Sequence, residues 1–195
     1  MRMKALEALV KRTRTFRRFD EQVRIRKSDL LALVNLARFT ASGGNQQSLK
    51  YLLVCDRRRC ALVFPCLAWA AYLKDWAGPA PGERPAAYIL ILGDTAIRRD
   101  VGCDHGLASQ SIMLGATCLG LGGCIIGSVR RDRLRAALRI PARFEIPLVL
   151  ALGRPRESVV LEPVRGGRIE YWRDARGRHH VPKRALRDLV VRPGN

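Results

Sequence analysis

The sequence predicts one domain in which helices pack against apolar strands. Three observations carry this. Stretches of helical period alternate with short, strongly apolar β-type runs. The length, 195 residues, suits a single core. Apolar residues make up 48% and charged residues 27% of the chain, which excludes global disorder.

Taken in order, Leu6, Leu9 and Val10 give a short helix that ends near Thr13. Ser28 and Asp29 read as an N-cap with an acidic first turn, and Leu30, Leu33, Val34 and Ala37 carry a helix over 30–39. Ser42-Gly43-Gly44 turns the chain into a β-type run at 51–55. Residues 60–73, with Phe64, Trp69 and Tyr72, read as an aromatic-rich helix. The Pro- and Gly-rich stretch 78–85 is a loop rather than a linker, because no composition shift follows it. Residues 86–92 form a strongly apolar strand, 104–119 a buried helix, and 124–126 a short β-like run. Asp132 leads a helix over 131–138, and 146–152 is another apolar strand, closed by Gly153. Beyond this point only 169–172, as a short strand, and 186–191, as a helix or strand, have any pattern. A compact domain rarely ends in so long a weakly patterned segment unless that segment docks elsewhere. Residues 155–195 are therefore expected to extend the domain and wrap a second subunit.

The formal charge is +19 and comes almost wholly from arginine. Such a field attracts polyanions and nucleotides. The cations are spread along the chain, so a solvated basic surface is favoured over nucleic-acid binding. The chain lacks aromatic-basic interleaving and a helix-turn-helix pattern. Six cysteines show no C-x-x-C pair and no histidine at zinc-like spacing. Cys55, Cys118 and Cys124 sit in apolar runs and read as small core residues. With no apolar leader at the start, free thiols point to a reducing cytoplasm. Residues 106–129 are uncharged and long enough to span a bilayer. Their serines, glutamine and late glycines argue instead for a buried helix followed by a loop and a strand.

Four stretches could carry chemistry. In Thr13–Asp20, Arg14, Thr15 and Arg17 combine guanidinium forks with a hydroxyl, the donor set a phosphate needs. In Ala41–Tyr51, Ser42 and two glycines permit close backbone approach, while Asn45 and Gln47 suit ring edges and hydroxyls. Gly120–Ser128 resembles a phosphate loop, but Ile125 replaces the third glycine of G-x-G-x-x-G. Its better use is the approach of backbone amides to a ligand at Ile126 and Gly127. Lys183 and Arg184 could neutralise a dianion. Read singly, each stretch is equally well a solvated charge run, a polar turn or a helix cap. His179 and His180 read as surface residues of the tail, and Asp104-His105 as the start of a helix. No protein-borne acid, base or nucleophile stands out, which favours an enzyme whose chemistry lies in a cofactor.

In this order the four stretches resemble the FMN-dependent nitroreductase family over nearly the whole chain. Thr13–Phe19 matches R-[RH]-[ST]-x-[RK]-x-F apart from its first position, and Ala41–Leu49 is similar to P-S-x-x-N-x-Q-P-W, with Ser48-Leu49 in place of Pro-Trp. The resemblance implies an α+β fold: a mixed, mainly antiparallel central sheet flanked by helices, in an intertwined homodimer. It implies FMN as cofactor, with Arg14, Thr15, Arg17, Lys183 and Arg184 on the phosphate. Ser42, Asn45 and Gln47 would meet the ribityl chain or ring, and the amides of Ile126 and Gly127 the flavin edge. It implies NAD(P)H as donor and a small aromatic, quinone-like or nitro acceptor. The segment Trp69–Pro85 would cap the pocket. Readings that stay open are another flavin reaction (ene-reduction, dehalogenation), flavin binding without turnover, and a basic polyanion-binding protein.

Overall fold

The last apolar strand of the sequence, Phe144–Pro155, is the strand on which the central sheet is assembled. A computed structural model describes residues 2–191. In chain order its elements are α1 (Met3–Arg12), β1 (Phe19–Asp20), α2 (Lys27–Ala37), β2 (Leu49–Val54) and α3 (Arg57–Val63). There follow β3 (Ala87–Asp94), α4 (Asp104–Cys118), β4 (Gly122–Ile126), α5 (Arg131–Leu138) and β5 (Phe144–Pro155). A second, smaller sheet comprises β6 (Val159–Pro163), β7 (Trp172–Arg173) and β8 (His179–Lys183).

Strand β5 pairs with β3, β4 and β1, and β2 pairs with β3; all four ladders are antiparallel. The α+β architecture expected from the sequence is therefore present. The parallel strand pair, β6 with β8, lies in the small sheet.

Both faces of the central sheet are covered, which is why β3 reads as an unbroken apolar run. Tyr88, Leu90 and Leu92 point into one core with Val63 of α3 and Leu134 of α5. Ala87, Ile89 and Ile91 point into the other, with Leu30 and Leu33 of α2 and Ala108 and Ile112 of α4. Val149 and Ala151 of β5 join the first core, Leu150 and Leu152 the second. A period-two strand buried on both sides has no polar face to show. No helix among the described residues is long and apolar enough to cross a membrane.

Three local expectations need correction. The helix predicted over 60–73 ends at Val63, followed by a 3-10 turn at Phe64–Cys66. Pro65 has no N–H to continue the helix, and the following chain pairs across to the loop after β4: Ala68 N donates to Ser128 O (3.0 Å) and Arg130 N to Cys66 O (2.8 Å). The cap of α2 lies at Arg26, not Ser28, because Asp29 reaches back to the Arg26 amide (3.2 Å). Cys118 is exposed, whereas Cys66 and Cys124 are buried. In addition, residues 159–183 hold three strands where the sequence pattern suggested at most one. Their partners are distant in sequence, and prolines at 163 and 182 blur the alternation.

Gly123 sits where β4 pairs with β5. A Cβ there would come 2.4 Å from the Ala151 carbonyl oxygen, a backbone atom that cannot swing aside. Gly106 in α4 has open space around it. Gly123→Ala is expected to cost about 2 kcal/mol through overpacking, while Gly106→Ala stabilises by up to ~1 kcal/mol through helix propensity. Urea unfolding of the two variants checks this contrast.

Candidate functional site

The connector from α1 to β1 carries the first group of candidate residues. Thr13 anchors it: its amide and hydroxyl both donate to Leu9 O (2.9 and 2.8 Å), and the hydroxyl meets Thr117 Oγ1 on α4 at 2.9 Å. Phe16 N then donates to Gly123 O at 2.8 Å, fixing the connector along β4. This leaves Arg14, Thr15 and Arg17 on a cavity of about 310 Å³, a size that suits a small ligand. Lys183 closes the cavity from β8, and Ile125 lines it from β4.

The arginines are held in different ways. Arg14 Nη2 donates to Val10 O at 2.7 Å, and burial lowers its pKa, although a guanidinium remains charged. Arg17 Nη1 lies 3.2 Å from His179 Nε2, with its guanidinium carbon 4.7 Å from the centre of the Tyr171 ring. The Nε atoms of Arg14 and Arg17 are buried and without a hydrogen-bond partner among the described residues. Unpaired buried donors are costly, so the cavity offers cationic N–H groups to an anion.

The turn at 41–49 carries the second group. Asp104, at the start of α4, organises it. Its carboxylate accepts from Ser42 Oγ (2.7 Å) and the Gly43 amide (3.0 Å). These two bonds, the amide first, hold the Asp104 carboxyl below its usual range. Ser42 Oγ in turn accepts from Gln47 N at 2.9 Å, and Gln47 Nε2 donates to Asn45 Oδ1 at 3.1 Å. Gly44, Asn45 and Gln47 have φ of 59°, 53° and 50°; Gly and Asn tolerate this left-handed region well, whereas Gln47 occupies it at a steric cost. Ser42 and Gln47 line a second cavity of about 310 Å³, with Tyr51 and Asp104. The sequence marked Ser42 but not its organiser, Asp104; only the fold brings α4 to the turn.

Within one chain the candidates thus divide. Arg14, Thr15, Arg17 and Lys183 share one cavity, while Ser42 and Gln47 line the other, with Asn45 bonded to Gln47. The Ile126 side chain is in the core, and Gly127 follows it at the end of β4, so Ile126 can offer a ligand only its backbone. Arg184 is exposed and lines neither cavity. A third cavity, about 710 Å³ beside Cys60 and Arg84, contains none of the predicted residues.

The two tail histidines are buried, not on the surface as the sequence suggested. His180 bridges Glu162 (2.8 Å) and Asp174 (3.2 Å) and stacks on Trp172. Those carboxylates, Glu162 first, raise its pKa. His179 is moved the opposite way, to about 4, by burial and by Arg17. Trp69, Tyr72 and Trp76 line none of the three cavities. Tyr72 packs instead on Tyr171 (ring centres 4.9 Å apart) and Trp76 lies under Arg173 of β7 at 4.2 Å, while Trp69 packs on Phe64 (5.9 Å) and the first core.

Residues 10–154 match the Nitroreductase family model. The chain belongs to the nitroreductase family. A curated relative from Archaeoglobus fulgidus, provisionally named an NADH dehydrogenase/NAD(P)H nitroreductase, is 25% identical over 142 residues, covering 69% of this chain and 76% of the relative. An FMN-dependent nitroreductase of Clostridium difficile R20291 superposes with a TM-score of 0.62 at 18% identity, covering 77% of this chain and 87% of that one. A protein of Exiguobacterium sibiricum 255-15, provisionally named a nitroreductase and solved in complex with FMN, gives 0.64 at 19% identity, covering 77% and 88%. At these identities the two structures speak for the fold.

The family segment includes both arginines and the Asp104-anchored turn. Asp104→Ala strands the Ser42 hydroxyl and the Gly43 amide, and is expected to cost about 1–3 kcal/mol, with lost protection of the Gly43 amide in hydrogen exchange. The histidines give a pH signature. Below its ordinary 6.5, His179 takes a proton in the unfolded chain but not in the folded one until about pH 4, so stability falls as pH drops through that window. His180 does the reverse: its contribution is full below 6.5 and lost as pH rises through its raised folded value. Urea midpoints of His179→Gln across pH 4–7 should decline less than those of the parent on acidification.

Proposed function

We propose that this nitroreductase-family protein is an FMN-dependent oxidoreductase that takes electrons from NAD(P)H and passes them to a small aromatic, quinone-like or nitro acceptor. One observation carries the reading. Two guanidiniums with buried, unpartnered Nε atoms share a cavity with Thr15 and Lys183, inside a chain of this family. That donor set fits a phosphate dianion, which takes up several charged N–H groups at once. The relatives add support, one named FMN-dependent, one solved with FMN, and one named for NAD(P)H.

Bound FMN would supply the two-electron chemistry that no side chain of the site offers. The protein's own residues bind, orient and neutralise. Arg14, Arg17 and Lys183 would balance the phosphate charge, Thr15 would donate its hydroxyl, and Arg184 would add a cation at the rim. Ser42, Asn45 and Gln47 would give hydroxyl and amide partners to the rest of the cofactor, and the backbone at Ile126 and Gly127 would face its ring edge.

The separation of the two groups in one chain supports a homodimer, in which the Arg14 cavity of one subunit meets the Ser42 turn of the other. Leu31, Leu36, Phe39 and Leu107, exposed on and beside α2 and α4, would supply apolar contact for it. Because β6–β8 rest on their own chain, the tail would cross to the partner after Lys183, where Leu186, Leu189, Val190 and Val191 are exposed.

The test is the absorption spectrum of freshly purified protein, followed by anaerobic NADPH or NADH. Flavin bands that bleach on addition are the expected result. Colourless protein that takes up no added FMN overturns the reading; colour that never bleaches leaves a flavin-binding protein without turnover. Arg17→Ala is expected to weaken FMN binding roughly 10- to 100-fold, the scale of one hydrogen bond to a charged group, measured by flavin fluorescence titration.

A further inference from the structure

The family match ends at residue 154, but the Arg14–Arg17 cavity does not. Its outer wall is built from the segment beyond, Val159, His179, Val181 and Lys183 of the small sheet and Tyr171 just before β7. These residues explain why Arg17 has one fixed place. A free arginine side chain has many rotamers, and fixing it costs up to about 2 kcal/mol.

Three contacts from the tail restrain it. Glu157, 1% exposed in its side chain, accepts the Arg17 amide, accepts the Arg18 amide at 3.1 Å, and pairs with Arg173 at 3.0 Å. This fixes the backbone from which Arg17 departs. Tyr171 offers its ring face to the guanidinium and also packs on His179, with ring centres 5.1 Å apart. His179, 1% exposed, meets Arg17 Nη1 through Nε2.

The last contact determines a tautomer. A guanidinium can only donate, so Nε2 must carry the lone pair. The ring is then neutral, with its proton on Nδ1, a buried atom that has no hydrogen-bond partner among the described residues, so the Arg17 contact alone fixes the tautomer. An imidazolium would place two cations against each other inside the wall, with Arg173 and His180 also close by and Glu157 the carboxylate near it.

We propose that His179 is a positioning residue for the cofactor phosphate: as a neutral Nδ1–H imidazole it accepts from Arg17 and, with Tyr171, holds that guanidinium on the cavity. This rests on the FMN reading above and extends the site into a segment outside the family match.

The experiment compares FMN with riboflavin, which has the same ring but no phosphate. Apoprotein, His179→Phe and His179→Gln are titrated with each flavin by fluorescence. His179→Phe is expected to weaken FMN about tenfold, the scale of one hydrogen bond to a charged group, and to leave riboflavin unchanged. His179→Gln, whose amide oxygen can stand in for Nε2, retains most of the FMN affinity. Equal losses for both flavins, or no loss for FMN, overturn the role of His179 while leaving the FMN reading intact. Failure of the unaltered protein to bind either flavin overturns that reading and this proposal together. If His179→Phe does not fold, long-range proton–nitrogen NMR of the unaltered protein is the measurement. A neutral ring protonated on Nδ1 at pH 7 supports the role; a charged ring or an Nε2–H tautomer overturns it.

Discussion

The pairing of β5 with three other strands is the constraint on which the rest of the structure hangs. Along its length β5 holds β3 on one edge, β4 over residues 149–153, and β1 at its end. Gly153 is a tight point, because a Cβ there would come 2.7 Å from Phe19 Cδ1. Three residues later Arg156 N donates to Arg18 O at 2.9 Å, and Glu157 takes up the Arg17 and Arg18 amides of the same connector. The strand that completes the core thus becomes the clamp on the basic connector. Site geometry and core packing are consequently one cooperative unit rather than a scaffold with a loop attached.

Charge has a distinct logic in this chain. With 36 basic and 17 acidic side chains, cations are cheap and carboxylates scarce. The structured acids are placed where they organise backbone. Asp104 sets the Ser42 turn, Glu157 the Arg17 connector, and Asp56 caps α3 by accepting Arg59 N at 2.8 Å. Their partners are amides and hydroxyls as much as cations, which is how a carboxylate is satisfied without desolvating a second charge. The arginines of the Arg14 cavity keep donors free in consequence. A pocket with such a surplus suits an anionic ligand, while surface arginines elsewhere contribute little beyond solubility.

The tail shows how an apparent lack of pattern can hide order. Trp76 stacks on Arg173, Arg173 pairs with Glu157, and Tyr171 joins Tyr72 to Arg17 and His179. The aromatic segment after α3 and the small sheet therefore stabilise each other.

What the sequence determined by itself was whatever depends on neighbours in the chain. The apolar runs at β3 and β5, the helical period of α2, the glycine turn before β2 and the short basic motif at Arg14–Arg17 were all readable, because period and turn chemistry are local. The α+β class and the family followed from their order. What depends on distant contacts was decided by tertiary structure. Pro65 ended a helix that composition favoured, since the chain after it bonds to the loop at Ser128. His179 and His180, polar and in an unpatterned stretch, became buried because β6 and β8 pair in parallel across a long connection. Asp104 gained its role from α4 docking beside the Ser42 turn, which no spacing rule anticipates. The division of the candidate residues between two cavities is likewise a property of the folded chain. A motif names donors, but only packing determines which donors face the same space.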